Sequence, residues 1–325
     1  MLANPFRVLL SIALCLSLVS CARQDKGSNG LTRVRLQTDW FPQAEHGGFY
    51  QALAKGFYRE AGLEVDLLPG GPGAHIKPKI AGGDAEFGMN PSIDIIVAAG
   101  RGLPLVMVGA YFQHDPQALL LHDDNPIRSF EQLDGKTVIA SPGLAWIQYL
   151  QKKYSIKLNL QPVPYGLAQF MADRSAIRQC VITNEPYLAR QQGASIRTMR
   201  LADAGYDGYH IIFCKRDFAR EHPDVVRAFV EASLKGWKDY VEGDPEPAHR
   251  MILERNRNMT PEFLQYSRSE MIRNQLVSGD PSKGEYIGLF RPDRVSEIIK
   301  MLHEVGMLEQ PVPVREVFWP LGKQN

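Results

Sequence analysis

The sequence predicts an α/β protein of two lobes with mostly parallel sheets, and three observations carry that expectation. The chain has 325 residues, 44% of them hydrophobic and 22% charged, a length that favours two compact lobes over one. Strand-like alternation is followed repeatedly by helix-like periodicity, the order that builds parallel sheets. The whole pattern restarts near Ser129.

Arg33 to Thr38 alternates with the period of a half-buried strand, and Gly48 to Ala61 then reads as a helix interrupted near Gly56. Val65 to Leu68 gives a second strand, Gly70 to Gly73 a turn, and Ala85 to Met89 a third strand ending at Asn90. Ser129 to Leu133 reads as a short helix before the turn Asp134-Gly135-Lys136 and the strand Thr137 to Ala140. Helices follow at Trp146 to Tyr154 and Ala168 to Ser175, with strands at Gln161 to Val163 and Cys180 to Thr183. The strand Tyr209 to Cys214 crosses back, and the remainder is mostly amphipathic helix. These readings divide the chain into residues 32–121 plus 215–325 for a discontinuous first lobe and 122–214 for the second. No internal repeat interrupts the scheme.

Lys and Arg total 37 against 36 for Asp and Glu, so no field of one sign gathers nucleic acid. The eight His are scattered and no CxxC occurs, so neither a metal nor a cofactor is indicated. At the N-terminus Arg7 precedes an apolar run, Val8 to Val19, too short to span a bilayer and typical of a signal peptide over 1–20. Leu18-Val19-Ser20-Cys21 resembles the lipobox of bacterial lipoproteins, which implies lipidation at Cys21 and a polar tether over 21–31. The implied location is outside the cytoplasm, on a membrane through that anchor alone. Cys180 and Cys214 sit in apolar strand-like runs and read as buried free thiols.

In open α/β sheets ligands bind beyond the carboxyl ends of the strands. Those positions here carry Asp39, Trp40, Gln43, His46 and Tyr50, then Asn90 and Ser92, then Ser141, Gly143 and Trp146, then Tyr165, Asn184 and Glu185. The rings of Trp40, Tyr50, Trp146 and Tyr165 either stack on a flat ligand or fill the core. His46, Asn90 and Ser92 serve either the ligand or a helix terminus. Glu185 either accepts two parallel hydrogen bonds from an amidine-like edge or pairs with an arginine across the lobes.

Asp39-Trp40-Phe41-Pro42, His46 to Tyr50, Ala54 to Tyr58 and Glu60 to Leu63 resemble the opening signature of bacterial thiamine-pyrimidine-precursor binding proteins and of the related fungal pyrimidine synthases. The resemblance continues through Gly82 to Asp94, Leu133 to Val138 and Ile182 to Glu185, then Phe218 to Pro223, and weakens beyond Gly243. It implies a two-lobed periplasmic-binding-protein fold of type II, with a ligand cleft between lobes. It also implies a monomer that delivers a small molecule, an aminopyrimidine, to the permease and ATPase of an ABC importer. A riboflavin-like heterocycle, or an alkanesulfonate such as taurine, is the alternative ligand.

The resemblance to the synthases raises an enzymatic alternative. Their lysine and histidine fall on Asn90 and Asp94, and their cysteine-rich run falls on Ala204 to Gly208, which lacks Cys. Lys77 and Lys79 read as solvated charges. Without those groups the chemistry has no residues to perform it, and the expectation is a binder, not an enzyme.

Overall fold

Ten strands form two five-stranded sheets among the residues that the computed structural model describes, 30–164 and 166–321. The leader, Cys21, the tether up to residue 29, and Tyr165 lie outside them. The first sheet contains β1 (Thr32–Gln37), β2 (Leu63–Leu68), β3 (Phe87–Pro91), β4 (Leu105–Phe112) and β10 (His210–Lys215), in the order β2-β1-β3-β10-β4. The second contains β5 (Gln117–His122), β6 (Thr137–Ile139), β7 (Asn159–Gln161), β8 (Ile177–Val181) and β9 (Ile196–Arg200), in the order β7-β6-β8-β5-β9.

Each sheet is parallel except for one member. β10 runs antiparallel to β3 and β4, and β5 runs antiparallel to β8 and β9. Those two strands are the ones that arrive from the opposite lobe. The chain crosses between β4 and β5, and again between β9 and β10. The sheets therefore move the lobe boundaries read from sequence: 117–121 join the second sheet and 210–214 the first. Strand periodicity identifies β10 but cannot say which sheet receives it, because edge and partner are set by pairing across the fold.

Other differences are local. β4 is buried at every position, so it lacks the alternation that marks a strand. β7 ends at Gln161 because Pro162 and Pro164 follow and cannot donate to a ladder. The helix expected over Ala168 to Ser175 stops at Ala172, where Asp173 Oδ1 accepts from the Ser175 N–H and hydroxyl instead. β8 begins at Ile177, three residues before the strand read from Cys180; the buried Arg178 breaks the apolar pattern there. Cys180 in β8 and Cys214 in β10 are free and buried. Lys79 donates to Gln37 Oε1 at 3.0 Å rather than standing free in solvent.

The Gly47–Ala54 helix packs on the long Pro223–Glu242 helix with almost no side chain between them. A Cβ on Gly48 would come within 2.2 Å of the Trp237 ring, and one on Gly236 within 2.2 Å of the Gly48 carbonyl oxygen. This approach seats Trp237 against Phe49, Tyr111 and Phe112, with Tyr111 stacked at 5.3 Å. The aromatic cluster thus runs from the helix pair to the end of β4, where the chain leaves for the second lobe.

Gly236→Ala is expected to force these helices apart and cost about 1–3 kcal/mol. Thermal unfolding checks this; an unchanged Tm would show that the helix pair has slack.

Candidate functional site

The strand ends of both sheets and both crossings converge on one seam. After β1 the chain turns sharply: Thr38 N donates to Leu68 O at 3.0 Å, and Thr38 Oγ1 lies 3.0 Å from the carbonyls of Trp40 and Leu68. Gly70 permits this, since a Cβ there would lie 2.4 Å from Thr38 O. The turn sends Asp39 and Trp40 outward. Asp39 Oδ1 lies 2.8 Å from His46 Nε2. Burial, the largest single influence, acts to raise the Asp39 carboxyl, but the His46 hydrogen bond together with the electrostatic influence of His46 and His210 holds the group below its ordinary range. His46 is fully buried and its Nδ1 has no partner.

The Ala44–His46 turn reaches the other lobe. Glu45, 8% exposed, accepts the Thr183 hydroxyl, and Asn184 Nδ2 donates to Gln43 Oε1 at 3.2 Å. Thr183 is braced from behind, its carbonyl accepting from Ser267 Oγ at 2.7 Å on the Pro261–Arg273 helix. Glu185 opens the Glu185–Gln191 helix, and its Oε2 accepts from the Val181 N–H at 2.8 Å. Burial, the largest influence, raises the Glu185 carboxyl although that N–H and Arg178 oppose it. Burial likewise raises Glu45. Arg178, in β8, is 4% exposed, with Nε and Nη1 unpartnered and Nη2 3.4 Å from Pro164 O.

The floor of the seam is made by the end of β3 and the two crossings. Ser92 N donates to Tyr209 O at 2.8 Å, and Ser92 is wholly buried. Asp115 is 0% exposed, accepts from Gln117 N at 2.8 Å, and lies 3.7 Å from His210 Nε2. Burial acts to lower the His210 imidazole, but Asp115, Asp39 and Asp94 raise it overall. Tyr111 and Tyr206 are buried with hydroxyls that have no partner. Burial raises both phenols, and Asp115 adds to each.

Asp207 ties the crossings together. Its Oδ1 accepts from Asp115 N at 3.0 Å and its Oδ2 lies 2.8 Å from His114 Nδ1. Glu285 Oε2 sits 2.9 Å from His114 Nε2, and Arg294 Nη2 lies 3.4 Å from Asp207 Oδ2.

The seam therefore gathers Asp39, Gln43, His46, Ser92, Asn184 and Glu185 from the residues read in sequence. Trp40 stays 39% exposed, edge-on to Phe41 at 5.6 Å, with ring surface open to a flat partner. Others are placed differently. Trp146 is 1% exposed, in a hydrophobic core that draws on both lobes, and Tyr50 is buried with Arg255 over its ring at 5.3 Å. Asn90 lies within β3 opposite Ile211. Ser141 N donates to Gln179 Oε1 at 2.7 Å, and Gly143 is exposed with φ of 82°.

Sequence reading missed Glu45, Thr183, Tyr111, Asp115, Tyr206 and His210, and singled out Asp94 only as unable to replace a histidine. Glu45 sits one residue before His46, inside a stretch already singled out. Asp115 follows β4, whose lack of alternation hid the strand end. A separate cavity of about 470 Å³ lies at the outer edge of the second lobe, among Asn125, Lys136, Gln161, Gln169 and Asp173. Its one deeply buried polar side chain, Asn125, already bonds Ser175 O and Ile127 N.

Among known proteins, the family model described as NMT1/THI5 like matches residues 43–248. A formylaminopyrimidine-binding protein of Halalkalibacterium halodurans is 25% identical, covering 97% of this chain and 98% of that protein. A 4-amino-5-hydroxymethyl-2-methylpyrimidine phosphate synthase of Saccharomyces cerevisiae is 24% identical over 68% of this chain and 71% of its own length. The alkanesulfonate-binding protein SsuA of Xanthomonas axonopodis pv. citri, solved with bound MOPS, superposes with a TM-score of 0.62 at 13% identity, over 89% of this chain and 98% of that one. That last likeness concerns the fold, which is the two-lobed periplasmic-binding-protein architecture.

His114 offers a test of the crossing network. Its imidazole is raised, chiefly by the Asp207 hydrogen bond, against burial and Arg294 and with help from Glu285. A raised histidine contributes stability that is complete below its unfolded value of about 6.5 and lost as pH rises through the folded value. The urea midpoint of the wild type is expected to fall above neutral pH, and that fall to flatten in His114→Gln. Parallel curves would remove His114 as its source.

Proposed function

The chain belongs to the NMT1/THI5-like family, and on that premise we propose that it captures an aminopyrimidine precursor of thiamine outside the cytoplasm and delivers it to an ABC importer. One observation carries the choice of ligand. Acceptors dominate the seam: Glu45 and Asp39 on one lobe and Glu185 on the other, while Arg178 is 4% exposed. A heterocycle bearing an amino group presents donors to such carboxylates, whereas a sulfonate presents only acceptors and would be repelled. The exposed face of Trp40 adds a stacking surface that suits a flat ring.

Family membership alone leaves two activities, because the relatives include both binding proteins and synthases. Asn90 and Asp94 favour binding. Neither side chain can form a Schiff base or replace a histidine, and Asn90 lies within β3. Delivery is read as closure of the lobes on the ligand, with Thr183–Glu45 and Asn184–Gln43 completing the seam.

Glu185→Gln keeps the shape of the acceptor and removes its charge. For an aminopyrimidine it is expected to weaken binding by about 1.5–3 kcal/mol, roughly ten- to a hundredfold. Trp40→Ala is expected to cost about 0.5–1.5 kcal/mol of stacking. Calorimetry with 4-amino-5-hydroxymethyl-2-methylpyrimidine, riboflavin and taurine checks both; tight taurine binding, insensitive to either change, would replace this reading with the sulfonate one.

The anchor is proposed at Cys21, which precedes the described residues. Cys21→Ala is expected to release the protein from membranes while leaving ligand affinity within error, since the tether adds no group to the seam. Fractionation of cells and calorimetry of the released protein read the two effects separately.

A further inference from the structure

The turn of the second lobe that leads into Glu185 meets the first lobe twice. Gln43 and Glu45 reach Asn184 and Thr183 at the seam, and the Pro261–Arg273 helix reaches the same turn separately. That helix carries two stripes at helical spacing. Leu264, Arg268 and Met271 form one; Arg268 donates to the carbonyls of Tyr240 and Val241 at 2.7 and 2.9 Å, which ties the helix to the end of the Pro223–Glu242 helix of the first lobe. Phe263, Tyr266 and Ser267 form the other, and it meets the second lobe. Phe263 stacks on Tyr187 with ring centroids 4.7 Å apart and planes inclined by 12°, and Tyr266 lies 5.0 Å from the same ring. Arg190 Nη1 donates to the Tyr266 hydroxyl at 3.2 Å, and that hydroxyl lies 3.4 Å from Ile182 O. Ser267 Oγ donates to Thr183 O at 2.7 Å. Tyr187 and Arg190 belong to the Glu185–Gln191 helix, between β8 and β9 of the second sheet.

We infer that the Pro261–Arg273 helix is a closure latch: anchored on the first lobe through Arg268, it grips Tyr187 and the 182–184 turn only while the lobes are together, and so sets how long a ligand stays bound. Tyr187 is a positioning residue rather than a ligand contact, because it stands two places after Glu185 and residues two apart on a helix face different ways. The rings of Tyr187 and Tyr266 are half-buried, so both can return to water when the lobes part. A contact made in one state alone shifts the equilibrium by its own free energy, and apparent affinity falls with the fraction of molecules that close. The stacked rings and the hydroxyl bridge therefore strengthen binding without touching the ligand. The inference rests on the capture of a ligand between the lobes and adds what holds them shut.

Calorimetry and stopped-flow dissociation with 4-amino-5-hydroxymethyl-2-methylpyrimidine test it on the wild type, Tyr187→Ala and Tyr187→Phe. Tyr187→Ala is expected to weaken binding roughly three- to tenfold, the worth of one aromatic pair, and to do so through faster dissociation. Tyr187→Phe keeps the ring and should restore affinity to within about twofold of the wild type. If Tyr187→Ala fails to fold by thermal unfolding, Tyr266→Phe, which removes only the hydroxyl bridge, decides by whether dissociation quickens. Unchanged affinity and dissociation overturn the latch and leave the ligand reading standing. Equal losses in Tyr187→Ala and Tyr187→Phe overturn it as well, since the hydroxyl of Tyr187 and not its ring would then matter. If the wild type binds no aminopyrimidine, the ligand reading fails by itself, and small-angle scattering of the ligand-free proteins decides the latch: Tyr187→Ala is expected to have the larger radius of gyration, and equal radii overturn the inference.

Discussion

The Asp207 carboxylate is the constraint on which the rest of the site depends. One oxygen takes the Asp115 N–H from the first crossing and the other meets His114, while Asp207 itself belongs to the second crossing. Two strands of chain that connect different sheets are thereby held at a fixed separation. Glu285 and Arg294 extend the network into the C-terminal region, and Arg294 lies 4.2 Å over the Tyr209 ring. Charges taken out of water persist only where they are paired and hydrogen-bonded, so this cluster leaves the crossings little freedom to separate. Tyr206, Gly208 and His210 flank Asp207 in sequence, and their placement on the floor follows from it.

Packing reaches the same place from the other side. Glycines at 47, 48 and 236 let two helices approach until Trp237 meets the β4 aromatics. Phe112 in turn stacks on His210 at 5.6 Å, with the rings inclined by 28°. The imidazole is thus gripped between an apolar cluster and Asp115.

The seam above the floor is built differently. Its contacts between lobes are single hydrogen bonds from Thr183 and Asn184, on a turn braced by Ser267. Such contacts can break when the lobes part, while the crossings stay tied by Asp207.

The order of elements was legible because local periodicity reflects which face of each strand is buried: β1, β2, β3, β6 and β10 were all recognisable from their residues, within a few positions. β4 was not, since a strand buried on both faces carries no alternation. Candidate contacts at strand ends were also legible wherever the chain itself places them, as with Asp39, His46 and Glu185. The partners of those residues were not. Thr183 meets Glu45 across 138 positions of sequence, and Asp207 meets Asp115 across 92. Trp146, a candidate for stacking by its position after β6, went into the core instead. By itself the sequence determined the two-lobed α/β class, the family signature and the residue types available to a ligand. Only the tertiary structure decided which of them face the seam, because burial and pairing between distant segments depend on how the two sheets exchange β5 and β10.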